Sequence, residues 1–247
     1  MRVLLFVFIL LAANSVINAQ TPGSNTFEAA NVDARAGRYT EALEKYRAVL
    51  RDALTDPLTG VLTAETDTAT RAMLARVHFN IGVCLYQTGR PQEAVAEYEK
   101  AAELSGGKYQ KVFYAMGMAE VALGRAKEAK AAFYRALELN KNDGEAWFDL
   151  GLVLLAQEDE KYYDDAVKAF ESAVKNGSVN TVDAINNIGV IAALKGDLVT
   201  AEKKFQEALQ KGASAEAAGN LKICARFTRG ADSKLIAGLI FSRIFSR

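Results

Sequence analysis

The sequence predicts an all-α fold made of repeated helical units, and three observations point there. An alanine followed four residues later by an aromatic recurs five times: Ala42/Tyr46, Ala94/Tyr98, Ala129/Phe133, Ala166/Phe170 and Ala201/Phe205. The alanines stand 52, 35, 37 and 35 residues apart. Upstream of four of them lies an apolar residue followed by glycine: Ile81-Gly82, Met116-Gly117, Leu150-Gly151 and Ile188-Gly189. Half of the 247 residues are apolar and only three are proline, so there is material for a core and little to interrupt helices.

A spacing of four puts the alanine and the aromatic on one helical face. The alanine marks a close helix crossing, and the aromatic fills the gap beside it. The upstream glycine sits where a second helix approaches too closely for a Cβ. A further glycine follows seven residues after it at Gly89, Gly124 and Gly196, and Gly37 fills the same slot ahead of Ala42. These read as breaks at the end of each first helix.

Trp147, Leu150 and Gly151 form W-x2-L-G. With the five alanine-aromatic pairs, this pattern resembles the tetratricopeptide repeat family, whose unit is a helix-turn-helix of about 34 residues. The resemblance implies a right-handed superhelical solenoid in which stacked units share a core and a capping helix closes the end. The expected organisation is five units at 27–51, 75–106, 110–141, 144–177 and 182–212. An insertion at 52–70 separates the first two, and Asp56-Pro57 and Gly60 mark a turn inside it. A solvating helix at 213–230 follows the last unit. In unit one Ala29-Ala30 replaces the apolar-glycine pair. Unit four carries three extra residues in the acidic run Gln157 to Asp165, which matches no calcium-binding loop and reads as a solvated turn.

The two ends carry different signals. Arg2 precedes an apolar run from Val3 to Ala13, and Asn14 to Ala19 is more polar and ends in a small residue. This is the layout of a signal peptide at 1–19, with cleavage after Ala19 and an exported product, periplasmic or secreted. As a helix the run spans about 16 Å, too little for a bilayer core of about 30 Å. At the other end, residues 231–247 form a basic amphipathic segment. Leu235, Ile236, Leu239, Ile240, Ile244 and Phe245 recur at steps of three and four. From Lys222 onward there are six basic residues and one acid, Asp232. Three arrangements stay open for this helix: packing as a degenerate sixth unit, docking into the solenoid's own groove, or weak contact with an anionic membrane.

Little chemistry is encoded. The formal net charge is zero, which argues against nucleic acid as partner. No phosphate-binding loop, dinucleotide fingerprint, zinc-protease motif or nucleophile elbow is present. A single histidine, His78, occupies a large-aromatic slot and reads as packing. Cys84 and Cys224 are about eight helix steps of 8–10 Å apart in a solenoid, against a disulfide reach of about 7 Å, so two buried free thiols are expected. No enzyme, cofactor or metal is expected.

The family's first helices line a concave face where peptides dock. Matching slots, the resemblance implies groove residues Phe79, Val83, Tyr86 and Gln87 in unit two, and Tyr114, Met118 and Val121 in unit three. Unit four contributes Phe148, Leu152 and Leu155, and unit five Asn186, Val190 and Leu194. Some members grip a C-terminal carboxylate with lysine, arginine and asparagine. Here Asn31 and Asn80 match, but Phe27 and Ala115 stand in place of the cations, so that clamp is not supported. The expected function is an exported scaffold or adaptor that binds an apolar helix or extended segment of another protein. The alternatives are a peripheral membrane protein docking through the basic amphipathic C-terminal helix and, behind it, an accessory subunit of an enzyme complex.

Overall fold

The computed structural model describes residues 24–54 and 68–227. Among them are eleven α-helices, a short 3-10 turn and no strand. They fall into two compact units, Met1–Leu139 and Asn140–Arg247. In the first unit, α1 (Ser24–Arg35) pairs with α2 (Tyr39–Leu54), α3 (Thr68–Gln87) with α4 (Pro91–Leu104), and α5 (Gln110–Ala122) with α6 (Ala126–Leu139). Each second helix packs on the next first helix, α2 on α3 and α4 on α5, and α3 touches α5 directly. In the second unit, α7 (Gly144–Leu155) pairs with α8 (Tyr163–Lys175) and α9 (Thr181–Leu194) with α10 (Leu198–Lys211). There α8 packs on α9, and α11 (Ala215–Phe227) packs on α10 and touches α9. The fold is therefore all-α, built of stacked helix-turn-helix pairs.

The apolar-glycine motif explains each pairing. A Cβ on Gly82 would stand 2.5 Å from the Tyr98 ring, and one on Gly117 2.7 Å from Phe133. The same holds for Gly151 against Phe170 and Gly189 against Phe205, both 2.7 Å. The aromatic of the second helix takes the space beside the first helix that a Cβ would fill. Tyr98, Phe133, Phe170 and Phe205 are all buried, each worth about 1.5–3 kcal/mol of hydrophobic burial. The alanines four residues earlier are wholly buried as well.

Local signals set the helix ends. Pro91 occupies the first turn of α4, where its missing N–H is no loss. Asp143 and Asp197 cap α7 and α10 by accepting from Ala146 N and Thr200 N, each at 3.0 Å. At the end of α3, Gly89 takes φ +76°, and Arg90 N donates to Leu85 O at 2.9 Å, closing the turn into α4. The fourth pair has Glu158 in the equivalent slot, at φ 53°, and it is the non-glycine residue with positive φ among those described.

One apolar core runs through the first unit from Phe27 to Ala119, and Cys84 lies in it. In the second unit, Val190, Ala201, Phe205 and Cys224 form one cluster and Ile185, Ala208 and Ala217 another, so α11 covers apolar surface of α9 and α10. Neither Cys84 nor Cys224 is in a disulfide, and both are buried. The signal segment 1–19, residues 55–67 of the insertion, and the segment 231–247 with Leu235, Ile236, Leu239, Ile240, Ile244 and Phe245 lie outside the described residues. Helix α3 begins at Thr68, so the end of the 52–70 stretch is helix.

Candidate binding surface

Burial divides the thirteen groove residues into two sets. Phe79 is fully buried against the rings of Tyr98 and Tyr109, at 5.9 and 5.2 Å between centroids. Phe148 packs on Phe170 at 5.8 Å. Val83, Leu155 and Val190 are buried in the core, and Asn186 is 3% exposed. A ligand cannot reach these six without opening the helix pairs. They differ from the sequence expectation because Phe79 and Phe148 pack on rings of their partner helices, Asn186 faces Asn220 of α11, and Val83, Leu155 and Val190 lie in the apolar core. Tyr86, Gln87, Tyr114, Met118, Leu152 and Leu194 are half-buried, and Val121 is 45% exposed. In the first unit, Tyr86 and Gln87 on α3 and Tyr114, Met118 and Val121 on α5 stand on adjacent helices. In the second unit, Leu152 is on α7 and Leu194 on α9.

Polar residues inside these helices fix register. Tyr46 donates its hydroxyl to Asn31 Oδ1 at 2.6 Å, and Asn80 Nδ2 reaches both Asn31 Oδ1 and the Tyr46 oxygen at 3.2 Å. The three residues come from α1, α2 and α3 and are buried. Asn220 Nδ2 likewise donates to Asn186 Oδ1 at 3.0 Å, tying α11 to α9. Asp33 accepts from Lys45 and, at 2.9 and 2.5 Å, from Arg38, and these cations hold its carboxyl below the usual range. His78 is not simple packing: its Nδ1 lies 2.6 Å from Glu97 Oε2, and Lys100 donates to the other oxygen at 2.9 Å. Burial pushes Glu97 up, but the hydrogen bonds from His78 and Lys100 outweigh it and hold it low.

Sequence reasoning missed one feature. A cavity of about 630 Å³ opens between the first turns of α3 and the turn joining α4 to α5. Arg71, Arg76, Lys108 and Lys111 line it over a floor that includes Ala72, Leu104 and Tyr109. These cations sit on two elements more than thirty residues apart, and Arg71 lies ahead of the repeat landmarks, so no local pattern joins them. Among the described residues no group of three histidine, cysteine or carboxylate side chains is placed to hold a metal ion. No helix among them is long and apolar enough to cross a membrane.

Tetratricopeptide repeat family profiles match residues 75–107, 114–161 and 160–217. No curated protein sequence is significantly similar to the chain. Among solved structures, YrrB, described as a TPR protein with an unusual peptide-binding site, is 24% identical with a TM-score of 0.62, over 81% of this chain and 92% of that one. The pilF protein of Pseudomonas aeruginosa is 18% identical with a TM-score of 0.62, over 91% and 92%. MamA from Desulfovibrio magneticus RS-1 is 18% identical with a TM-score of 0.61, over 76% and 93%.

Proposed function

The chain belongs to the tetratricopeptide repeat family, and we propose that it is a protein–protein interaction module that holds a peptide segment or helix of its partner on the first-helix face of α3 and α5. The observation that carries this reading is the set Tyr86, Met118 and Val121. These are apolar or aromatic side chains left part-exposed on two touching helices whose other faces are packed. Such a surface gains by covering its apolar area, and apolar anchors flanked by polar groups suit an amphipathic or extended segment. The activity in this reading is binding, and no reaction is assigned.

Export belongs to the same proposal, supported by Arg2 and the apolar run from Val3 to Ala13. The mass of the native protein tests it: a chain beginning at Gln20 supports export, and one retaining residues 1–19 counts against cleavage.

The binding reading is tested with the full chain isolated with its native partner. Met118→Arg and Val121→Glu should each cut partner recovery about tenfold or more, as central anchors do, with the melting temperature little changed. Val199→Glu, on a side chain 78% exposed on the second-helix side of α10, should leave recovery intact. Undiminished recovery with both groove variants overturns this face as the binding surface.

A further inference from the structure

We propose that the cavity between α3 and the α4–α5 turn is a second recognition site, which takes a carboxylate-bearing peptide segment of a partner protein. This rests on reading the chain as an interaction module, but it uses a different surface from the groove.

Charge is the first argument. The sequence has thirty basic and thirty acidic residues, yet four cations and no described carboxylate line this cavity. Elsewhere the described cations commonly find acids: Arg38 with Asp33, Arg90 with Glu93, Arg135 with Glu138 and Lys195 with Asp164. Among the described residues, Arg71, Lys108 and Lys111 have no such partner. Arg76 lies over the ring of Phe27 at 5.8 Å. Like charges gathered at one cavity repel, and an anion entering it relieves that repulsion. Lys111 is half-buried, and burial holds its ammonium below the ordinary lysine range.

Rigidity is the second. Gly106 and Gly107 both take positive φ, at 59° and 69°, a path that favours glycine at each position. Arg135 from α6 donates to Gly107 O at 3.3 Å and pins the turn. The turn that displays Lys108 and leads into α5, where Lys111 stands, is thus set before any ligand arrives, which lowers the ordering cost of binding.

The backbone distinguishes carboxylate side chains from a free phosphate. Phosphate sites are built from convergent backbone N–H groups. Here Gly106 N donates to Glu103 O at 2.9 Å, Gly107 N to Ala102 O at 2.8 Å and Lys108 N to Ser105 O at 3.3 Å. The amides of Gly106, Gly107 and Lys108 are therefore spent internally, and this turn offers no nest of free N–H groups to a phosphate. Arg71 and Arg76 are about 7.5 Å apart along the helix axis, so they suit separate anionic groups better than one compact ion. The apolar floor accommodates aliphatic residues between those groups, and the volume lies within the range of ligand pockets, about 300–1,000 Å³.

The test is fluorescence anisotropy with the full chain and a labelled hexapeptide of alternating glutamate and leucine, set against its glutamine counterpart. The acidic peptide should bind at least about tenfold tighter, and salt should weaken it. Arg71→Glu and Lys111→Glu should each cost about tenfold or more. Lys111→Met, which keeps the aliphatic packing, should also weaken binding with the melting temperature unchanged. Lys175→Glu, an exposed lysine in the other unit, should have no effect. Equal affinity for the two peptides, or equal loss with Lys175→Glu, overturns the proposal. Displacement of the peptide by inorganic phosphate, where acetate at the same ionic strength fails, also overturns it in favour of a phosphate site. Met118→Arg should leave acidic-peptide binding intact, so failure here and failure of the groove reading are separable.

Discussion

Gly151 lies so close to Phe170 that a Cβ on it would stand 2.7 Å from the ring carbon Cε1. Phe170 is fully buried and cannot swing aside without moving the whole α7/α8 pair. Gly151→Leu should therefore destabilise by about 1–3 kcal/mol or more, through overpacking. Phe170→Leu opens space at the same point, so the double variant should lose less than the sum of the singles. Chemical denaturation of the four proteins checks this; strict additivity would refute the contact.

Glu158 shows the opposite imbalance. It holds φ 53° at the position where Gly37, Gly89, Gly124 and Gly196 stand in the other pairs, with φ between 71° and 82°. An exposed glutamate pays a steric cost there that glycine does not. Glu158→Gly should stabilise the protein by about 0.5–1 kcal/mol, the steric relief exceeding the added entropy of the unfolded chain. A lower unfolding midpoint in the variant would contradict the assigned backbone.

The Asp33 cluster sets an acid limit. Hydrogen bonds from Lys45 first, and from Arg38, lower the Asp33 carboxyl below its ordinary value. A lowered folded-state value means the unfolded chain binds the proton more tightly. The resulting stability is present above about pH 3.9 and is lost as the pH falls through the folded value. The melting-temperature gap between the wild type and Asp33→Asn should be widest near neutrality and close as the pH falls through the folded value. A gap constant across that range would remove the ion pairs from the account.

Burial pushes the Cys84 thiol up to about 12, and burial with the nearby Glu202 charge pushes Cys224 up to about 11. At pH 8 Cys84 is thiolate in about one molecule in ten thousand, far below an ordinary cysteine. A thiol reagent should leave both unmodified in the native protein and react with both after denaturation without reductant. Rapid native labelling of either would contradict its burial.

The helix pairs were legible because glycine and aromatic recur at fixed spacing, and each spacing corresponds to one contact within one pair. Tyr98 on Gly82 and Phe133 on Gly117 are therefore readable from local sequence. Which first-helix residues face a ligand was less legible. Phe79, Tyr114 and Phe148 share a slot and a chemical type, yet Tyr114 is half-buried and the other two are buried. Neighbouring rings decide that, such as Tyr109 against Phe79, which belongs to the next pair. The hydrogen bonds of Asn31 to Tyr46 and Asn80 were hidden for the same reason, since these partners lie fifteen and forty-nine residues away. His78 had an apolar slot in the repeat, and nothing in the local sequence indicated Glu97 across the pair.

The buried triad of Asn31, Tyr46 and Asn80 also bears on how the first unit stays whole. Its hydrogen bonds span the stretch 55–67, joining α1 and α2 on one side of that stretch to α3 on the other. The apolar core crosses at the same place. A protease that nicks the chain within 55–67 would leave two polypeptides but a single particle, held by an interior that neither piece completes alone. That nick would show on a denaturing gel and not in gel filtration, and the two pieces made separately would each present an unfinished face for the other to complete.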